Sequence, residues 1–193
     1  SFESARDLLN QGRLEDALAQ LTELLKPEAK LRGLIKQNVL YYIATVHNRL
    51  GKPDEAIDNY KTLLKEYPKS RYLPDIAEGL VTAFSTKSDL EGAKKALDEL
   101  NSGAVTAGIE PNFSAVVAIQ RGRILERQEK WSDAFSAYNA AQTTSGVTAL
   151  ASQQARLGQA RCQIKQKKVS EAEAIFRKIS GEEAPNSILA GAW

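Results

Sequence analysis

The stretch that decides the fold runs from Gln37 to Ser70 and reads QNVLYYIATVHNRLGKPDEAIDNYKTLLKEYPKS. Its apolar residues recur every three or four positions, which is the spacing of one face of an α-helix. Gly51 and Pro53 interrupt this periodicity, because glycine takes the left-handed conformation that ends many helices and proline suits a first helical turn. The stretch therefore predicts two helices joined by a short turn.

The second of these helices has counterparts along the whole chain. An alanine followed four positions later by a bulky apolar residue recurs five times, and this spacing stacks both side chains on one helix face. The five pairs are Ala17/Leu21, Ala56/Tyr60, Ala93/Leu97, Ala134/Tyr138 and Ala172/Phe176. Successive alanines are separated by 39, 37, 41 and 38 residues, which predicts five helix-pair repeats.

Less regular segments separate and complete these repeats. Ser88 and Glu91 have the spacing of a capping box, so we expect a helix to begin there. The segment Asn101–Pro111 is rich in small residues and predicts a long, flexible connection.

The second repeat resembles a tetratricopeptide repeat. Gly51, Ala56, Tyr60 and Pro68 fall on the turn glycine, the alanine, the aromatic residue and the terminating proline of that family. The resemblance also implies that Gly122 and Ala160 are the small first-helix residues of the fourth and fifth repeats. The resemblance implies an all-α fold of helix pairs stacked into a right-handed superhelix, an α-solenoid. It implies a single array over 1–193, with repeats at 1–33, 34–70, 71–108, 109–147 and 148–185 and a further helix starting over 187–193. Because the chain contains no methionine, we interpret it as a fragment of a longer protein.

Composition argues against several classes of function. Lys and Arg total 26 against 24 Asp and Glu, so the net charge of +2 gives no reason to expect nucleic-acid binding. No apolar run approaches the roughly 18 residues of a membrane-spanning helix, so we expect no membrane insertion by this segment. His47 and Cys162 are the only residues of their types, and neither has the partners of a catalytic or metal site. We therefore predict a protein that is not an enzyme and that uses no metal or cofactor.

The resemblance implies a scaffold that binds a peptide or partner protein in a concave groove lined by the first helix of each pair. The family register selects the groove residues Asn38, Tyr41, Thr45, Asn48, Arg49, Glu78, Thr82, Arg123, Arg127 and Arg161. An acidic or mixed-charge segment would complement this surface, with Tyr41 as the apolar anchor. A one-residue shift of register in the fourth repeat would move Arg123 out of the groove.

Two other functions remain open from the sequence, an RNA-binding helical repeat and an accessory or oligomerisation domain of a larger enzyme. The compartment is also open. The segment Tyr67–Ser70 resembles the Tyr-Pro-x-Ser segment between repeats of bacterial envelope proteins. That resemblance favours the periplasm or cell envelope over the cytoplasm, as in envelope assembly, without fixing the location.

Overall fold

The chain folds into helices joined by short turns over the residues that the computed structural model describes, 1–109 and 112–181. The helices are α1 (Phe2–Asn10), α2 (Leu14–Leu24), α3 (Gly33–Arg49), α4 (Pro53–Glu66), α5 (Leu73–Thr86), α6 (Leu90–Thr106), α7 (Asn112–Arg127), α8 (Trp131–Thr143), α9 (Ala149–Lys165) and α10 (Val169–Ser180). A short 3-10 turn, Pro27–Ala29, follows α2. Within the described ranges there are ten α-helices and no strand, which confirms the predicted all-α class.

The chain divides into two compact units, Ser1–Ala96 and Leu97–Trp193. Consecutive helices from α1 to α5 pack against each other, and so do those from α7 to α10. The first helices of successive pairs also pack together, α3 with α5 and α7 with α9. Lys36 near the start of α3 binds Glu66 at the end of α4, with Nζ and Oε2 2.6 Å apart. That ion pair shows that α3 and α4 run antiparallel.

The recurring alanines are buried in the cores. The alanines of the first four repeats are fully buried and Ala172 is 2% exposed, which confirms the prediction that these alanines pack against neighbouring helices. An alanine at a helix crossing lets the neighbouring backbone approach closely, while the bulky residue one turn later fills the remaining space.

Each unit has its own hydrophobic core. The core of the first unit contains Ala5, Leu8, Leu9, Ala17, Leu21, Val39, Ile43 and Val46. That of the second unit contains Ala115, Ile119, Ala134, Tyr138, Ala141, Ala151, Ala155 and Cys162.

In each of the five repeats, the first helix ends in the same turn geometry. A residue with positive φ ends each helix, and the following N–H donates to a carbonyl five residues back, as in a Schellman motif. The residues with positive φ are Gly12, Gly51, Ser88, Glu129 and Lys167. The backbone geometry is therefore the same in all five turns, although glycine is present in only two of them.

The capping box predicted from Ser88 and Glu91 is wrong. Ser88 takes the left-handed conformation, with φ of 59°, and so belongs to the preceding turn. The carboxylate of Asp89 takes the capping role, and its Oδ1 accepts a hydrogen bond from the Gly92 N–H at 2.8 Å.

The long connection predicted at Asn101–Pro111 is also wrong over its first half. Helix α6 continues to Thr106, so the residues from Asn101 to Thr106 are helical. Leu97, Leu100 and Ala104 are buried at helical spacing, and this apolar stripe carries the helix through a segment of weak helix propensity.

Candidate protein-binding surface

The predicted groove residues lie on the first helices of the pairs, α3 and α5 in the first unit and α7 and α9 in the second. We call this surface the first-helix face of each unit. The predicted start of another helix at 187–193 lies outside the described residues.

A stack of two tyrosine rings dominates the first-helix face of the first unit. The rings of Tyr41, on α3, and Tyr72, just before α5, lie 4.0 Å apart between centroids and within 4° of parallel. Asn38, one turn before Tyr41, accepts a hydrogen bond from the Tyr72 hydroxyl at 2.8 Å. The guanidinium of Arg71 lies 4.9 Å from the Tyr72 ring centroid and donates to the same Asn38 oxygen at 3.0 Å. These contacts fix the stack against α3.

Two carboxylates of α5, those of Asp75 and Glu78, lie on the same face. The pKa of Tyr41 is raised to about 12, mainly by burial and next by the nearby Asp75 carboxylate, while a hydrogen bond with Thr45 opposes the shift. The pKa of Asp75 is raised, first by burial and then by Glu78, although its own backbone N–H opposes the shift. The first unit therefore places two carboxylates near an aromatic surface that also carries the Arg71 guanidinium.

Asn48 and Thr45, both predicted to bind a partner, make hydrogen bonds within the fold. The Asn48 amide donates to the Gly79 carbonyl of α5 at 2.9 Å and to the Tyr60 hydroxyl at 3.4 Å. A Cβ at Gly79 would lie only 2.2 Å from that hydroxyl oxygen, so glycine makes room for Tyr60. The Thr45 hydroxyl donates to the Tyr41 carbonyl at 3.0 Å. Asn48 thus joins α3 to α5.

Arg161 occupies a comparable position on the first-helix face of the second unit. Its Nη2 donates to Glu126 Oε1 on α7 at 3.0 Å and approaches the Tyr138 hydroxyl at 3.5 Å. Tyr138 is fully buried between two helices whose glycines make room for its ring. A Cβ on Gly122 of α7 would lie 2.7 Å from the ring and one on Gly158 of α9 would lie 2.4 Å from it. The sequence interpretation identified Gly122 but not Gly158.

The other predicted residues are mostly exposed. Arg49, Glu78, Thr82 and Arg127 are exposed. Arg123 is half-buried, and its Nη1 donates to Gln120 Oε1 at 3.4 Å. Arg121, which sits where the family register expects an apolar residue, is exposed and forms an ion pair with Asp98.

Three residues of this surface escaped the sequence interpretation: Arg71, Tyr72 and Asp75. Asp75 occupies the position in the third repeat that Asn38 occupies in the second, so the family register contained the signal for it. Arg71 and Tyr72 precede α5 in the connection between repeats, where helix periodicity carries no information about contacts. Their role follows only from their packing against α3.

Burial shifts the pKa values of His47 and Cys162 in opposite directions. Half-buried His47 lies 3.3 Å from the Asn59 amide nitrogen, and its pKa is lowered, mainly by burial. Cys162 is buried, and burial, with the Glu126 carboxylate 3.9 Å away, raises the pKa of its thiol to about 12. Neither residue is placed as an activated nucleophile or base.

Two further properties concern only the described residues. They contain no group of three or more His, Cys, Asp or Glu side chains arranged to hold a metal ion. Among their helices, none combines the length and the apolar character that crossing a bilayer requires.

Comparisons with known proteins agree with this helix-pair organisation. Two sequence profiles of the tetratricopeptide repeat match the chain, one over residues 38–70 and one over 119–188. Among curated protein sequences, none matches this chain significantly.

Solved structures show the same architecture. A thermophilic tetratricopeptide repeat protein of Thermus thermophilus is 19% identical with a TM-score of 0.66, covering 99% of this chain and 94% of that protein. BtubC from P. vanneervenii is 18% identical with a TM-score of 0.68, covering 94% of this chain and 80% of that one. NprR, solved with its cognate peptide NprX, is 18% identical with a TM-score of 0.66, covering 96% of this chain and 55% of that one.

Antiparallel helix pairs repeated along the chain define a helical-repeat protein of the α-solenoid class. The two profile matches together span more than half of the sequence. This chain belongs to the tetratricopeptide repeat family.

Proposed function

We propose that this chain is a non-enzymatic scaffold that binds a peptide or a partner protein on its first-helix faces. The observation that carries the proposal is the Tyr41–Tyr72 stack, which Asn38 and Arg71 hold in place. A surface fixed before the partner arrives loses little conformational entropy on binding. NprR, a protein of similar fold, has been solved with its cognate peptide, which supports peptide binding by this architecture.

The charges of the two faces suggest the chemistry of the partner. The face of the first unit carries both signs of charge, from Asp75 and Glu78 and from Arg49 and Arg71. Arg123 and Arg127 place positive charge on that of the second unit. Complementary charge sets the orientation and the association rate of a partner more than its affinity. We therefore propose a mixed-charge segment as the ligand.

Peptide selection tests this function. A random phage-displayed library is panned against the purified chain, and the consensus peptide is synthesised and titrated by calorimetry. In the test variant, Tyr41, Arg123 and Arg127 are all replaced by alanine. We expect the parent to bind the consensus peptide and the triple variant to bind at least about tenfold more weakly, because an anchor and two charges are lost.

The matched control replaces Lys61, Lys65 and Lys178 by alanine, since these exposed residues lie on second helices. This control should bind like the parent. Equal binding by a folded Tyr41/Arg123/Arg127 variant would place the binding surface elsewhere, and failure to select any peptide would contradict the proposal.

For the compartment, we propose the bacterial cell envelope, on the resemblance of the Tyr67–Ser70 segment alone. The segment also has a structural role, because Ser70 is buried and its hydroxyl accepts a hydrogen bond from the Tyr72 N–H at 3.2 Å. Fractionation of cells that produce the natural protein tests the assignment. Recovery in the cytoplasmic fraction alone would overturn it.

A further inference from the structure

We propose that one edge of the first unit docks on an anionic membrane surface, where its cations bind lipid phosphates and Leu34 and Ile35 enter the headgroup region. We call this surface the basic edge, and it comprises residues 25–36 and 65–71. It lies at the start of α3, so the inference goes beyond the first-helix faces and does not depend on peptide binding. The contact is peripheral and needs no membrane-spanning helix.

Two connections between repeats meet at the basic edge. The first connection leads directly into α3, which begins at Gly33. The second connection follows α4, whose last residue, Glu66, binds Lys36 with Oε2 and Nζ 2.6 Å apart. Arg71 of the second connection donates to Asn38 of α3 at 3.0 Å. Both connections therefore lie beside the first two turns of α3.

Positive charge is concentrated at this edge. Its two ranges contain seven Lys or Arg residues and two Glu residues, a formal charge of +5. The other residues of Ser1–Ala96 contain eight Lys or Arg and twelve Asp or Glu, a formal charge of −4. The nearly neutral composition of the unit therefore conceals a strongly asymmetric distribution of charge.

Most of these cations are available to an external anion. Lys26 and Lys36 are paired with Glu23 and Glu66, each at 2.6 Å. Four exposed residues of the edge form no ion pair with a described side chain, namely Lys30, Arg32, Lys65 and Lys69.

Helix electrostatics do not account for the cations at the start of α3. The helices α1, α2, α4 and α5 each carry an acidic residue in the first turn, which the positive end of the helix dipole favours. Helix α3 carries none, and it has Arg32 directly before its first residue and Lys36 in its first turn. Positive charge at this end of a helix opposes the dipole, and a bound anion offsets that repulsion.

Two large aliphatic side chains are exposed at the same place. Leu34 and Ile35 lie in the first turn of α3, and each is 52% exposed. An aliphatic side chain leaves water when it enters the headgroup region of a bilayer, which is favourable. An apolar contact combined with basic residues provides the two signals that hold peripheral proteins at anionic membranes.

A bilayer fits this combination better than a nucleic acid or an acidic peptide. Proteins that bind single-stranded nucleic acids stack the bases on aromatic rings, whereas the side chains exposed here are aliphatic. The cations are spread over two connections rather than along one helix face. A plane of anionic headgroups can contact both connections at once and also receive Leu34 and Ile35.

Vesicle flotation with the full chain tests the proposal. The vesicles consist of phosphatidylcholine alone or of phosphatidylcholine mixed with an equal part of phosphatidylglycerol. We expect the chain to bind the anionic vesicles at least about tenfold more strongly than the neutral ones, because of the cations at the edge. Binding should weaken as salt is added, because the cations are exposed.

Two double variants identify the groups responsible. Lys30→Gln combined with Arg32→Gln removes two of the available cations, and Leu34→Ser combined with Ile35→Ser removes the aliphatic contact. Each double variant should weaken binding to the anionic vesicles about five- to tenfold.

Matched controls make the same changes at exposed positions elsewhere. Lys52→Gln with Lys61→Gln removes two cations at the start and in the middle of α4. Val105→Ser with Leu150→Ser removes two exposed aliphatic side chains of the second unit. Both controls should bind like the parent, and far-UV circular dichroism shows whether each variant is folded.

Equal binding to neutral and anionic vesicles would overturn the inference, and so would the absence of binding to either at low salt. Full binding by a folded Leu34→Ser/Ile35→Ser variant would also overturn it, because the cations would then act alone, as in a site for a soluble polyanion. None of these results bears on the peptide-selection test of the scaffold function.

Discussion

At the scale of single residues, the glycines that face tyrosine rings allow the helices to pack closely, because a side chain there would collide with the ring. Tyr138 is fully buried, and a Cβ on Gly158 would lie 2.4 Å from its Cζ atom. Real Cβ atoms do not approach so closely, so the ring or the α9 backbone would have to move. The close approach of α9 to Tyr138 therefore requires a residue without a side chain.

We predict that Gly158→Ala destabilises the protein relative to Gly103→Ala. Both substitutions gain helix propensity, but a Cβ at Gly103 meets nothing within 4 Å. Gly103→Ala should stabilise by about 0.5–1 kcal/mol. The difference in free energy of unfolding between the two variants should be about 1–3 kcal/mol, the cost of overpacking, measured by urea denaturation. Equal stability of the two variants would show that Tyr138 does not hold this position.

At the scale of elements, the turns between paired helices combine one backbone geometry with several residue types. Gly12 and Gly51 adopt positive φ readily, because they have no Cβ. Ser88, Glu129 and Lys167 adopt positive φ at a conformational cost, and the helix packing on either side maintains it.

We predict that Glu129→Gly stabilises the protein by up to about 1 kcal/mol, because it removes the cost of a left-handed non-glycine residue. Gly51→Ala should destabilise by about 1 kcal/mol for the same reason. Glu129→Ala is the matched control, since it removes the exposed side chain but keeps a residue with a Cβ at positive φ. Thermal unfolding measures all three, and a stabilising Gly51→Ala would contradict this account of the turns.

At the scale of the whole molecule, composition distinguishes a peptide-binding scaffold from an RNA-binding repeat. The net charge is +2 in 193 residues, and the first unit places Asp75 and Glu78 on its first-helix face. A protein that tracks a phosphate backbone needs a basic surface on successive repeats.

We therefore predict no RNA binding beyond weak, salt-sensitive association. Titration of a fluorescent oligouridine at physiological salt should give a Kd no tighter than about 1 μM, the range of nonspecific contacts. A much tighter complex that survives added salt would favour the RNA-binding alternative. The consensus peptide selected above serves as the positive control for folded, competent protein.

Several properties of this protein follow from the sequence by itself because they depend on residues near each other in the chain. The alanine spacing, the helical periodicity and the Gly51–Pro53 turn are local signals, and they predicted helix pairs whose recurring alanines are buried. The same local signals led to two wrong predictions, the capping box at Ser88 and the long connection from Asn101. At Ser88 a polar residue takes a left-handed turn position, and after Asn101 buried apolar contacts extend α6.

Only the tertiary structure decided which surface residues act within the fold. Tyr72 stacks on Tyr41, Asn48 joins α3 to α5, and Arg161 pairs with Glu126. Each of these contacts joins residues from different elements, so it depends on helix rotation and packing distance, which local periodicity does not specify. For that reason the sequence predicted which helices carry the candidate surface. Packing determined which side chains on those helices bind other parts of the fold.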